Sequence, residues 1–201
     1  MIKKFFITLS LFCFSTAVFA IEAPDELVKR TADDVLAIVK SDTDIQAGDQ
    51  AKIFALAEEK ILPNFNFERV SRLVLGKNWT RATEDQKIAF QAEFRTLLLR
   101  TYATALSKYK NQEIEFLPLR MVDGAKTVSV KTKIIQSGAQ PIAVDYSLAR
   151  EVDAWKVYDI VIEAVSLVTN YRGQFSQEIR QNGLDSLIKK LQDKNAAASV
   201  K

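Results

Sequence analysis

VSVKTKIIQSGAQPIAVDYSLAREVDAWKVYDIVIEAVSLVTNYRGQF, residues 128–175, contains the change of period that decides the fold. Apolar residues first come at every second position. Val128, Val130, Thr132 and Ile134 point one way, and Ser129, Lys131 and Lys133 the other. Ser137-Gly138 is a turn signal, after which Ile142, Val144, Tyr146 and Leu148 alternate with Ala143, Asp145, Ser147 and Ala149. Residues 151–153 turn the chain again into a run that starts at Trp155. Upstream, Ile114 and Phe116 alternate with Glu113 and Glu115, and Asp123-Gly124 marks the turn between. Period two with short connections predicts a four-stranded antiparallel meander with one wet face. After Ser166 the period lengthens: Leu167, Tyr171, Phe175 and Ile179 share one side of a helix that Gly183 ends.

The chain before the meander reads as helices. Pro24 suits the first turn of a helix to Lys40. Asp49 caps a second, with Ile53, Phe54, Ala57 and Ile61 inward and Pro63 at its end. A third runs from about Phe67 to Leu75 and stops at Gly76. Thr83 and Gln86 form a capping box that opens the longest helix, to about Tyr109. Its stripe of Phe90, Phe94, Leu97, Leu98, Tyr102, Leu106 and Tyr109 is broad and bulky. A last helix covers Leu184 to about Asn195. Four helices, four strands and two helices make an α+β fold: a bent antiparallel sheet with about six helices packed on one face. Layers of this kind often leave a pocket between them.

The N-terminus indicates the compartment. Lys3 and Lys4 precede the uncharged apolar run from Phe5 to Phe19, and Val18-Phe19-Ala20 suits a signal peptidase. Residues 1–20 are therefore expected to be a cleaved secretory signal peptide, and residues 21–201 one mature domain in the periplasm. The alternative is an uncleaved anchor. Cys13 follows the bulky Leu11 and Phe12, which does not suit a lipoprotein site. Removing Lys3 and Lys4 from 28 basic residues leaves 26 against 25 acidic ones, a net charge of +1. No nucleic-acid partner is implied. The one cysteine leaves with the signal and the chain has no histidine, so Cys-His and Ser-His-Asp catalysis are excluded. No metal site or catalytic set is expected.

Asp159 and Glu163 lie four apart in the last strand. By strict alternation they share a face with Trp155, Val157 and Val161, while Tyr158, Ile160, Ile162 and Ala164 face the interior. Structural ion pairing, with Arg172 or Arg180 as partners, is the simplest role for the two carboxylates; partner contact and catalysis are the alternatives. Lys126, Lys131 and Lys133 read as a solvated sheet face or, more sharply, as a dock for an acidic partner.

Several blocks carry a family resemblance: LVLGKNW (73–79), the Thr83/Gln86 box, FQAEFRTLLLRTY (90–102), WKVYDIVIEAVSLVTNYRGQF (155–175) and NGLDSLIKKL (182–191). In this order after a signal peptide, the chain resembles the MlaC family, also called the toluene-tolerance family. The resemblance implies a nuclear-transport-factor-like or cystatin-like cone with an internal apolar pocket. It implies a periplasmic carrier, a monomer, that shuttles phospholipid and maintains outer-membrane lipid asymmetry. Its implied partners are an outer-membrane lipoprotein–porin complex and an inner-membrane ABC transporter with a lipid-binding ring. Phospholipid is cargo, no cofactor is implied, and no catalytic residue carries over. The expected pocket lining is Leu75, Trp79, Phe90, Phe94, Leu97, Leu98 and Tyr102 from the helical half. Val130, Val144, Tyr146, Ile160 and Ile162 would join from the sheet, and Val165, Leu167 and Tyr171 from the approach to the C-terminal helices. Two other readings stay open: an adaptor with a packed interior, and an enzyme on the same fold using Asp159 or Asp145 as base with a tyrosine.

Overall fold

The computed structural model describes residues 21–109 and 111–197. The expected signal peptide, residues 1–20, lies outside the described residues, as does the end of the tail. Helix α1 (Pro24–Ser41) starts on its proline, with Asp25 and Glu26 in the first turn and Lys40 in the last, each at the end of the helix dipole that favours its charge. A short helix not expected from the sequence follows, α2 (Thr43–Ala47). It is capped by Asp42, whose Oδ1 accepts from the Asp44 and Ile45 amides at 2.9 and 3.1 Å. Gly48 ends it at φ 93°, a conformation that strains other residues. Asp49 caps α3 (Gln50–Leu56), which widens into a π turn at Ala57–Ile61 and then tightens to a 3-10 turn around Pro63.

Asn66 caps α4 (Phe67–Leu75) through the Arg69 amide at 2.7 Å. A 3-10 turn, Gly76–Arg81, then presents Trp79 to the core. The capping box is present at the start of α5 (Glu84–Tyr102), with both reciprocal bonds made. This helix does not run unbroken to Tyr109. It breaks at Ala103, and a single turn, α6 (Thr104–Ser107), follows. Thr101 donates back to the Leu97 carbonyl at 2.7 Å, a competing bond that bends helices and lies at the break.

The sheet has five strands among the described residues, all antiparallel, in the order β1 (Glu113–Phe116), β2 (Thr127–Ile135), β3 (Ile142–Arg150), β4 (Trp155–Ile162) and β5 (Val165–Ser166). The fifth is a two-residue return after a tight turn. Glu163 and Ala164 take φ 48° and 64° there, the left-handed pair that suits a two-residue hairpin. Helix α7 (Leu167–Asn182) follows at once, and α8 (Leu184–Ala197) closes the chain.

The register corrects the expected faces of β4. Val144 pairs with Ile162 and Tyr146 with Ile160, but Leu148 pairs with Val157, because a bulge at Tyr158 inserts one residue. Trp155 and Val157 therefore lie on the same face as Ile160 and Ile162, not opposite them. That apolar face also carries Val130, Thr132, Val144 and Leu148, all buried, and α1 packs there through Leu27 and Val28. The Thr132 hydroxyl is satisfied by the Val144 carbonyl at 2.7 Å.

Candidate functional site

The apolar interior is divided into three clusters. One is helical, joining α4, α5, α7 and α8 around Phe90, Phe94, Tyr171 and Phe175. A second joins α1, α3 and the α5–α6 break around Val39, Ile53 and Ala103. A third lies on the sheet around Val130, Leu148, Trp155 and Val157, under α1.

The expected pocket residues split across this division. Leu75, Trp79, Phe90, Phe94, Leu97 and Tyr171 are buried in the helical cluster. Its rings are in close contact: Phe90–Phe94 at 5.4 Å, Phe94–Tyr171 at 5.1 Å and Phe94–Phe175 at 5.5 Å between centroids. These edge-on and offset arrangements are those of a closed core. Val130 is buried in the sheet cluster, and Val144 is buried outside all three.

The remaining residues are not closed over. Leu98 and Tyr102 lie half-buried on the edge of the helical cluster, and Tyr146 and Ile160 on the edge of the sheet cluster. Ile162 and Leu167 are half-buried in no cluster, and Val165 is 56 % exposed beside the tight turn. The close neighbours of α5 are α4, α6 and α8, with no strand among them. Large apolar side chains on the sheet and on α5 thus stay only partly covered. Desolvation pushes the Tyr146 phenol pKa up although its side chain is only half-buried. Desolvation, reinforced by the neighbouring Tyr171 and a hydrogen bond with it, pushes that of Tyr102 to about 12.

The two carboxylates have structural partners other than the expected ion pairs. Asp159 accepts from the Ser166 hydroxyl at 2.6 Å and the Val168 amide at 3.0 Å, so it fixes the first turn of α7. Glu163 accepts from the Ala143 amide at 2.5 Å across the tight turn. Arg172 donates instead to the Leu73 carbonyl at 2.6 Å. With its lone pairs on an amide and a hydroxyl, Asp159 positions a helix.

A groove of about 750 Å³ opens elsewhere, between the β1–β2 connection and the polar side of the sheet. None of its lining residues was among the expected pocket residues, although Lys131 belongs to the basic set read from the sequence as a solvated face or a dock. Among the described residues, no helix is long and apolar enough to cross a membrane, and no cluster of acidic side chains is arranged to hold a metal.

Comparison with known proteins gives this geometry a context. The model of the MlaC protein family matches residues 29–193. The chain belongs to the MlaC family. It is 25 % identical over 198 residues to the intermembrane phospholipid transport system binding protein MlaC of Haemophilus influenzae, covering 95 % of this chain and 92 % of that protein. It is 28 % identical over 168 residues to the toluene tolerance protein ttg2D of Pseudomonas putida, covering 83 % and 77 %. Among solved structures, a phospholipid-binding protein from Ralstonia solanacearum in complex with a phospholipid superposes with a TM-score of 0.81 at 36 % identity. That match covers 86 % of this chain and 97 % of the other. This MlaC-family chain therefore has the mixed α/β fold of a phospholipid-binding protein, and two of these relatives are named for phospholipid transport or binding.

Proposed function

We propose that the protein is a periplasmic phospholipid carrier, residues 1–20 being its signal peptide and residues 21–201 one lipid-binding domain. The acyl chains lie in the interior between α5 and the sheet, along Leu98, Tyr102, Tyr146, Ile160 and Ile162, with Val144 and Leu167 beside them. The closed helical cluster of Leu75, Trp79, Phe90, Phe94 and Leu97 backs that space. Val130 supports it from the sheet, Tyr171 orients Tyr102, and Val165 sits near its rim. The observation that carries this reading is the likeness, over 86 % of this chain, to a protein solved with phospholipid bound. The partly buried apolar residues on α5 and on the sheet are consistent with it.

The energetics suit the task. A two-chain lipid hides on the order of 30 methylenes, and at about 0.8 kcal/mol each their burial is worth on the order of 20–25 kcal/mol. Free lipid therefore does not cross an aqueous compartment at a useful rate. A carrier must replace the bilayer and release its cargo only where a docked partner offers an equally apolar path. In this reading the partners are the outer-membrane lipoprotein–porin complex and the inner-membrane ABC transporter with a lipid-binding ring. Their exchange of cargo with this chain maintains outer-membrane asymmetry. No catalytic step belongs to the function, because Asp159 and Glu163 are committed to backbone and hydroxyl donors.

Gentle purification of the full chain from the periplasm, followed by lipid extraction and mass spectrometry, tests the proposal. The expected result is a mature N-terminus at Ile21 and phospholipid in amounts comparable to the protein. Folded protein that yields no lipid, and takes up none from vesicles, contradicts it.

A further inference from the structure

Tyr146 places a phenol on an otherwise aliphatic surface. It lies in the middle of β3, paired in register with Val130 on β2 and Ile160 on β4. Val144 and Leu148 stand two residues to either side, on the same face of the sheet, and both are buried. None of these four side chains carries a donor or an acceptor. On the same face, the Thr132 hydroxyl donates its hydrogen to the Val144 carbonyl at 2.7 Å. Among the described residues, the Tyr146 hydroxyl has no hydrogen-bond partner.

The other tyrosines are placed differently. Tyr102 and Tyr171 hydrogen-bond each other. Tyr109 donates to the Gln112 carbonyl at 2.9 Å. Tyr158 lies against the Arg69 guanidinium and lines the open groove. Tyr146 has neither a partner nor a place in that groove. Desolvation alone raises its phenol pKa, yet its side chain is only half-buried. Buried hydroxyls are nearly always bonded. A phenol that is desolvated, incompletely covered and unpartnered is a donor left for an acceptor from outside the chain.

Building on the carrier reading above, we propose that the Tyr146 hydroxyl donates to an acyl ester carbonyl of the bound lipid, so that the site selects ester-linked chains and fixes their depth against the sheet. The aliphatic surround selects the acceptor. Methylenes cover Val130, Val144 and Ile160 but accept no hydrogen bond. A charged headgroup oxygen brought among these side chains would be desolvated without a cation. An ester carbonyl is the neutral acceptor that a fatty chain carries beside its methylenes. An ether linkage lacks that carbonyl and leaves the phenol unpaired, the situation in which a buried polar group discriminates most strongly.

The test uses the full mature chain, stripped of lipid, and two short-chain phosphatidylglycerols of equal chain length, one diester and one diether. Each is titrated below its micelle concentration. The expected result is that the wild-type chain binds the diester about three- to tenfold more tightly, the worth of one neutral hydrogen bond. In Tyr146→Phe the diester loses about that factor and the diether does not, so the preference disappears. Tyr109→Phe, which removes a hydroxyl committed to Gln112, keeps the wild-type ratio. Infrared spectra of the diester, isotope-labelled at its carbonyls, give a readout that packing alone does not move. The carbonyl band falls in frequency on binding to the wild type and returns in Tyr146→Phe. Circular dichroism checks the fold of the variant, and the wild-type ratio and band decide the matter without it. Equal wild-type affinity for the two lipids, an unshifted carbonyl band, or a preference that survives Tyr146→Phe overturns the proposal. Equal loss of both lipids in the folded variant reduces the hydroxyl to a packing role and also overturns it. Binding of neither lipid overturns the carrier reading itself, whereas tight binding of both without preference leaves that reading standing and removes only the ester contact.

Discussion

The helical cluster and the sheet-side interior are built from similar side chains and treated differently by the fold. Around Phe90, Phe94 and Phe175 the rings touch and exclude solvent. Around Tyr146, Ile160 and Ile162 residues of equal apolarity stay half-buried. A protein under pressure for stability alone would close both, since open apolar surface forgoes both transfer free energy and dispersion contacts. The contrast separates a closed helical core from a partly covered sheet face, the division that the proposed carrier reading requires.

The contrast breaks first, and most visibly, at Phe94. Phe94→Ala removes a ring packed against four other aromatic rings. It is expected to cost about 3–5 kcal/mol in urea unfolding. Ile160→Ala on the open face is expected to cost less than about 2 kcal/mol, because less contact is lost. Equal losses at the two positions would erase the distinction.

Leu98→Asp sharpens it from the other side. The variant keeps its helical circular dichroism, since Leu98 is not enclosed, but loses bound lipid because the charge is desolvated against acyl chains. Leu98→Ala keeps its lipid, as a flexible tail fills the gap.

Asp159→Ala is expected to cost about 1 kcal/mol, the value of a helix-terminus cap, and to leave lipid content unchanged. Asp159→Asn costs less, since one acceptor oxygen remains. Loss of a measurable turnover in the folded variant would instead favour the enzyme reading.

Tyr102 gives the smallest effect and a pH signature. Its folded pKa of about 12 lies above the ordinary phenol value, so the stabilisation is fully present below about pH 10 and is lost as pH rises through about 12. Tyr102→Phe therefore flattens the fall of the urea midpoint above about pH 10. An unchanged slope would place Tyr102 in a solvated position.

Helix boundaries with a chemical signal are legible in the sequence: Pro24, Asp49, the Thr83–Gln86 box and Gly183 stand where they are expected. The order of helices and strands follows from the period. Three features escaped because their causes are not local. The bulge at Tyr158 reverses half of β4 without any glycine to announce it. The break at Ala103 falls inside an unbroken apolar stripe, where a threonine back-bond and tertiary packing outweigh period. The two-residue β5 is too short for any pattern. The groove was illegible for a fourth reason: its wall is an aperiodic connection, and only the fold brings Arg120 into one groove with Lys131 and Ser147. The apolar identity of the interior was readable, whereas its division into closed and open parts depends on how close α5 comes to the sheet.

Hydrogen–deuterium exchange on the mature protein, stripped of lipid and then reloaded with phospholipid, tests the division most directly. The account predicts that reloading slows exchange at Leu98–Tyr102 in α5, around Tyr146 in β3 and at Ile160–Ile162 in β4, while Phe90–Phe94 and α8 change little. Lipid that protects the helical cluster and leaves those sheet amides untouched would contradict it.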